Sequence, residues 1–331
     1  MRRPRRTVVG ILLAAGALFT TGLQTATAHA APATVHPAAA TAAAQQKVRD
    51  YWTPERMRTA TPLDLPGVTP GSLTRPQGHG SSPTVIAPTP PKTSVPAPSG
   101  VTVKDFPQPG GAWSGSGAVL KTTGRVFFTF QGRNASCSGD AVTSQNGSTV
   151  LTAGHCVKYQ GAWHTNWTFA PGYHDGQSPY GTWTATKTMS TPQWVASEDM
   201  NFDVGAAVVG PLGGQTLTQA VGAQGLQFNG AYNQSLYAFG FPAASPYDGT
   251  KLIYCSGTSI KDFLLTKDHG LSCNMTGGSS GGPWFASFDE STGTGLQASV
   301  NSFGYVFLPN TMFGPYFGDD IKTLYDQAQT T

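Results

Sequence analysis

The chain has 331 residues, of which only 11% are Asp, Glu, Lys or Arg, against roughly 25% in ordinary soluble domains, and this excludes a coiled coil or a charged helical bundle. Its 41 glycines and 25 prolines favour short strands joined by many turns over a helix-dominated fold. Of the net charge of +3, Arg2, Arg3, Arg5 and Arg6 supply four positive charges, while residues 111–331 hold 9 basic and 13 acidic side chains; with no basic stripe to neutralise phosphates, nucleic acid is excluded as a partner.

The arginine cluster precedes an apolar run from Val8 to Leu18 and a small-residue stretch ending Ala28-His29-Ala30, which is the three-region layout of an export signal over residues 1–30. The run is shorter than the roughly 20 apolar residues of a membrane-spanning helix. A secreted protein with no membrane partner after signal removal is therefore expected. Arg5-Arg6-Thr7-Val8-Val9 also fits the loose twin-arginine pattern, so the export route stays open.

Residues 31–110 carry 15 of the 25 prolines and no cysteine. They read as a pro-segment or linker, largely disordered and without a packed core, with one short helix within 42–60. The net charge of this segment is +3, opposite to the −4 of residues 111–331, which suits an inhibitory docking segment.

From Trp113 the text changes to β-rich runs at 125–130, 148–151, 204–209, 236–239 and 296–300, separated by Gly and Asn. The expectation is one all-β unit over 111–331. Ile321, Leu324, Tyr325 and Ala328 repeat at helical spacing behind Asp319 and Asp320, so a terminal helix packs on it. Cys137, Cys156, Cys255 and Cys273 are an even set in an exported chain, read as two disulfides. Three pairings are possible, and separations of 19 and 18 residues favour the two local loops.

Three segments carry chemistry: Thr152-Ala153-Gly154-His155-Cys156, Asn201-Phe202-Asp203-Val204, and Thr276-Gly277-Gly278-Ser279-Ser280-Gly281-Gly282-Pro283. A serine hydroxyl is a poor nucleophile at neutral pH, and it needs an imidazole to take its proton and a buried carboxylate to fix the imidazole tautomer. Ser280, His155 and Asp203 meet that requirement. The surrounding glycines allow a tight turn whose backbone N–H groups, those of Gly278 and Ser280, form an oxyanion hole. Asp203 is preferred to Asp199 because it directly precedes an apolar run. Gly278-Ser279-Ser280-Gly281-Gly282 also matches the G-x-S-x-G elbow of esterases, but those enzymes place a histidine after the serine and the last one here is His269. No H-E-x-x-H or C-x-x-C pattern is present, and neither a metal nor a cofactor is expected.

The order His, Asp, Ser and the context of each residue resemble the chymotrypsin-like (trypsin-like) serine proteases, bacterial secreted type, similar to glutamyl endopeptidases, over residues 113 to 328. The resemblance implies two six-stranded antiparallel β-barrels with a C-terminal helix, a cleft between them that holds the triad, and a Cys137–Cys156 bridge beside the histidine loop. It implies a monomeric endopeptidase acting on protein or peptide substrates. It places Asn274 at the base of the primary specificity pocket, Met275 and Asn301 on its walls, and Ser302-Phe303-Gly304 as the edge that pairs with substrate backbone. Uncharged Asn274 argues against a preference for Lys or Arg, Met275 and Asn301 depart from the glutamyl pattern, and a small or polar residue is expected in the pocket. Ser279 stands where the family's zymogens use Asp to capture a new N-terminus, so removal of residues 31–110 is expected to unblock the cleft instead. His164, His174 and His269 are read as surface histidines, and Trp163, Trp167, Trp183 and Trp194 as packing residues. The alternative reading is a catalytically silent module that binds peptide or cell-wall material.

Overall fold

The computed structural model describes residues 30–66, 81–92 and 106–331; the expected export signal lies outside them except for Ala30. The segment before Trp113 supplies β1 (Thr34–Pro37), α1 (Ala42–Tyr51), α2 (Pro54–Thr59), β2 (Thr61–Pro62), β3 (Thr84–Ile86) and β4 (Gln108–Ala112). The next stretch supplies α3 (Val119–Thr122), β5 (Thr123–Phe130), β6 (Arg133–Val142), β7 (Thr149–Thr152), β8 (Lys158–Tyr159), β9 (Ala162–Trp163), β10 (Thr165–Pro171), β11 (Trp183–Ser190), α4 (Pro192–Ser197) and β12 (Gly205–Val209). The last part supplies α5 (Leu217–Val221), β13 (Gly225–Phe228), β14 (Ser235–Gly240), β15 (Ile253–Thr258), β16 (Ile260–Lys261), β17 (His269–Ser272), β18 (Pro283–Asp289), β19 (Thr294–Val300), β20 (Thr311–Gly314) and α6 (Asp319–Gln329).

Strands β5, β6, β7, β12, β11 and β10 pair antiparallel in that order, and β10 returns to β5, closing a six-stranded barrel. Alternation within β5 explains why it is buried on both faces. Val126 and Phe128 enter the barrel core with Cys137, Leu151 and Phe169. Phe127 points outward into a second cluster with Trp52, Tyr173 and Phe241.

The second six-strand set closes differently. Strands β15, β14, β18 and β19 form consecutive antiparallel pairs, and β20 pairs with β17. The chain just beyond β19 joins the two groups, because Phe303 and Phe313 exchange backbone hydrogen bonds of 3.2 and 2.8 Å. Between β17 and β15 the link is the Cys255–Cys273 disulfide. Helix α6 lays Ile321, Leu324, Tyr325 and Ala328 on the first barrel, as their spacing predicts.

The reading of 31–110 as a segment without a packed core needs correction for its described residues. Val48, Trp52, Met57 and Ala60 are buried among Phe127, Tyr173 and Phe241, and the Trp52 indole donates to the Asn166 carbonyl at 2.6 Å. Two helices, separated at Thr53-Pro54, replace the single one expected. Strand β1 pairs antiparallel with β11, β2 parallel with β6, β3 with β13 and β4 with β15. Proline content describes local chain stiffness, but sheet edges with unpaired backbone groups recruit such a chain whatever its composition.

Asp140 in β6 is fully buried and accepts a 3.1 Å bond from the Thr123 hydroxyl through Oδ1. Burial pushes its pKa up to about 8, against the pull of the Thr122 and Thr123 hydroxyls. A folded-state pKa above the unfolded value near 3.9 means that the folded chain holds the extra proton, so this group costs stability increasingly as the pH rises toward 8. In Asp140→Asn that decline is expected to be shallower by about 1.4 kcal/mol per pH unit in urea unfolding between pH 5 and 7; equal slopes for the two proteins would contradict the buried, protonated carboxyl.

Candidate active site

Strand β7 ends at Thr152, and a single 3₁₀ turn, Gly154–Cys156, presents His155. Gly154 is required by close packing, since a Cβ there would lie 2.8 Å from the Trp194 ring and 2.9 Å from Asp203 Oδ1. The turn is fastened on three sides. Cys156 is bridged to Cys137 of β6, the Trp167 indole donates to the Cys156 carbonyl at 3.0 Å, and His164 Nε2 donates to the His155 carbonyl at 2.8 Å.

His164 corrects an expectation. It is buried and stacked on Phe128 at 4.2 Å, and burial lowers its pKa to about 4, so it is neutral at pH 7. His269, also read as a surface residue, is buried against Tyr232 and Tyr316, and burial lowers its pKa to about 4 as well. His174 is exposed, as read from the sequence, and contacts the Gly172 carbonyl at 3.0 Å.

Asp203 follows the 3₁₀ turn Met200–Phe202 and precedes β12. Its carboxylate is fully buried. Oδ1 accepts the His155 backbone N–H at 2.7 Å, and Oδ2 accepts His155 Nδ1–H at 2.7 Å and the Ser302 hydroxyl at 2.5 Å. An acceptor at Nδ1 fixes the tautomer and leaves Nε2 with a lone pair. Asp199 does other work: it caps the turn, accepting from Asn201 N and Nδ2 at 3.1 and 2.9 Å.

Ser280 lies in a loop whose Gly278 and Gly281 adopt φ of +91° and +79°, the left-handed region open to glycine at little cost. The first barrel grips this loop through Ser138. Its N–H donates to the Ser280 carbonyl at 2.7 Å, and its hydroxyl donates to the Gly278 carbonyl at 2.9 Å while accepting from Phe241 N at 2.9 Å. Cys156 Sγ lies 3.7 Å from the Ser280 carbonyl, which places the serine beside the histidine turn. His155 Nε2 and Ser280 Oγ are both buried and have no hydrogen-bond partner.

The expected pocket residues are arranged differently. Asn301 is fully buried; its amide accepts from the Trp284 indole at 2.7 Å and donates to the Phe239 and Ser279 carbonyls at 2.8 and 3.0 Å. It braces the serine loop from behind. Asn274 is exposed and accepts the Tyr247 hydroxyl at 2.6 Å, whereas Met275 is buried with Leu236, Cys255 and Leu271. Ser302 reaches Asp203, Phe303 is buried against Phe313 and Tyr305, and Gly304 is half-buried. Sequence reasoning missed Ser138 and the Ser302–Asp203 bond, since nothing near either serine marks it.

No family model matches the chain. Over 82 residues it is 40% identical to the extracellular metalloprotease of Bacillus subtilis (strain 168), a match that covers 24% of this chain and 25% of that protein. Among solved structures it is similar to the protease Anisep from Arthrobacter nicotinovorans, with 44% identity and a TM-score of 0.62 over 67% of this chain and 100% of that one. A thermostable serine protease, AL20, from an extremophilic microorganism shows 42% identity and a TM-score of 0.61 over 65% of this chain and 99% of its own. A Glu endopeptidase shares the fold, with a TM-score of 0.54 at 14% identity, over 67% of this chain and 97% of that one. With a two-barrel fold and this identity across the whole length of solved relatives, the chain belongs to the bacterial chymotrypsin-like serine proteases, a family of serine endopeptidases.

Proposed function

We propose that the protein is an exported endopeptidase that cleaves peptide bonds through Ser280, His155 and Asp203, with an acyl-enzyme intermediate and an oxyanion hole made by the Gly278 and Ser280 N–H groups. The observation that carries this reading is the state of His155. Asp203 holds its Nδ1–H, and its Nε2 is left buried and without a partner, as is Ser280 Oγ.

In the first half-reaction Ser280 Oγ attacks the substrate carbonyl carbon and its proton passes to His155 Nε2. Asp203 stays ionised and stabilises the imidazolium. The negative charge that develops on the carbonyl oxygen is met by the two backbone N–H groups, each of which is worth about 2.7 to 4 kcal/mol in comparable sites. Collapse breaks the C–N bond, and Nε2 returns its proton to the departing amine. Water then attacks the ester by the same route and restores Ser280.

Substrate backbone is taken up by strand addition at the Ser302 carbonyl and Gly304, because the Ser302 N–H and both backbone groups of Phe303 are already paired with Phe313. Asn274 carries no charge to hold a Lys or Arg side chain. Two disulfides and the signal-like residues 1–30 support an extracellular site of action, and among the described residues no helix is long and apolar enough to cross a membrane. The chain is read as a latent precursor that acts as a monomer after processing. A silent binding module is disfavoured, because a binding role gives no reason to hold His155 in one tautomer against a buried carboxylate.

Ser280→Ala is expected to lower kcat/KM for casein hydrolysis by the processed enzyme about 10,000-fold or more with an unchanged urea midpoint; hydrolysis at the wild-type rate would contradict the assignment. Asn301→Ala, which leaves the Trp284 indole and the Ser279 and Phe239 carbonyls without their partner, is expected to cost about 2 to 4 kcal/mol in urea unfolding. Asn274→Ala is expected to stay within about 0.5 kcal/mol of wild type. Small, equal changes would contradict the bracing role of Asn301.

A further inference from the structure

The chain fills its own cleft. Beyond β2, the Leu63 N–H donates to the Ser136 carbonyl of β6 at 3.0 Å, and the Leu63 carbonyl accepts the Gly278 N–H at 3.1 Å. That N–H is one of the two donors assigned above to the oxyanion hole, so this inference rests on the proposed function. Gly277 admits the segment, since a Cβ there would lie 3.1 Å from Leu63 O and 3.4 Å from Asp64 Cα. Leu65 then packs against the second-barrel cluster that contains Leu236, Cys273 and Met275.

We infer that residues 61–65 are an autoinhibitory strap which occupies the oxyanion hole with the Leu63 carbonyl. Thr61 and Pro62 pair parallel with Ala135 and Ser136 of the first barrel, and Leu65 reaches the second barrel, so the strap spans the cleft and takes the Gly278 N–H that a substrate carbonyl would need. The burial of both His155 and Ser280 matches a site closed to water and to other peptides.

The test uses the full chain, with intact mass recorded to verify that residues 61–65 remain attached. Leu63→Pro removes the N–H given to Ser136, and Leu65→Ser removes the apolar anchor; near-UV circular dichroism checks that each variant is folded, and two independent variants guard against the loss of one. The expected result is at least a 10-fold gain in hydrolysis of a peptide substrate by either variant over wild type. Hydrogen exchange of the 276–280 amides is expected to be at least 10-fold faster in the variants. Equal hydrolysis by wild type and variants would overturn the strap while leaving the proposed function standing. Hydrolysis by none of them would overturn the proposed function and the strap with it.

Discussion

The carboxylate of Asp203 is the constraint around which the molecule is built. A buried charge of this kind costs several kcal/mol unless its lone pairs are occupied, and here the occupants come from two places. His155, on the first barrel, donates twice, and Ser302, on the chain that follows β19 of the second barrel, donates once. Neither barrel alone satisfies the carboxylate. Docking of the two halves is thus coupled to assembly of the His155–Asp203 pair, and that pair, when intact, reports that the interface has formed.

The nucleophile loop obeys the same logic. Ser138 of the first barrel holds the Gly278 and Ser280 carbonyls, and Asn301 holds Ser279 from the second. The loop is pinned from both sides, which fixes the backbone N–H groups before substrate arrives, as electrostatic stabilisation of an oxyanion requires. A cleft between two barrels also admits an extended segment, whether a substrate or the chain's own residues 61–65.

The proposed triad was legible because each of its members sits in a local context with its own chemical reason: a histidine beside a cysteine, an aspartate ahead of an apolar run, a serine among glycines. The terminal helix was legible from spacing alone. The direction in which Asn274, Met275 and Asn301 point depends on tertiary packing of a loop, which no periodicity encodes, and Asn301 proved to be a brace. His164 read as a surface residue because its neighbours in sequence are polar, whereas its partners, Phe128 and the His155 carbonyl, are neighbours only in space. The proline-rich N-terminal segment misled for a related reason. Composition reports how stiff a chain is, and the stretches of β11, β6 and β13 that their barrel neighbours leave unpaired on one side decided where it would lie.

The most direct measurement is the site and rate of reaction of the processed protein with a fluorophosphonate, mapped by peptide sequencing and repeated on Asp203→Asn. The account predicts a single adduct on Ser280, formed at least 100-fold more slowly when Asp203 can no longer fix the Nδ1–H tautomer of His155. An adduct elsewhere, or one on Ser280 that forms equally fast without the carboxylate, would contradict it.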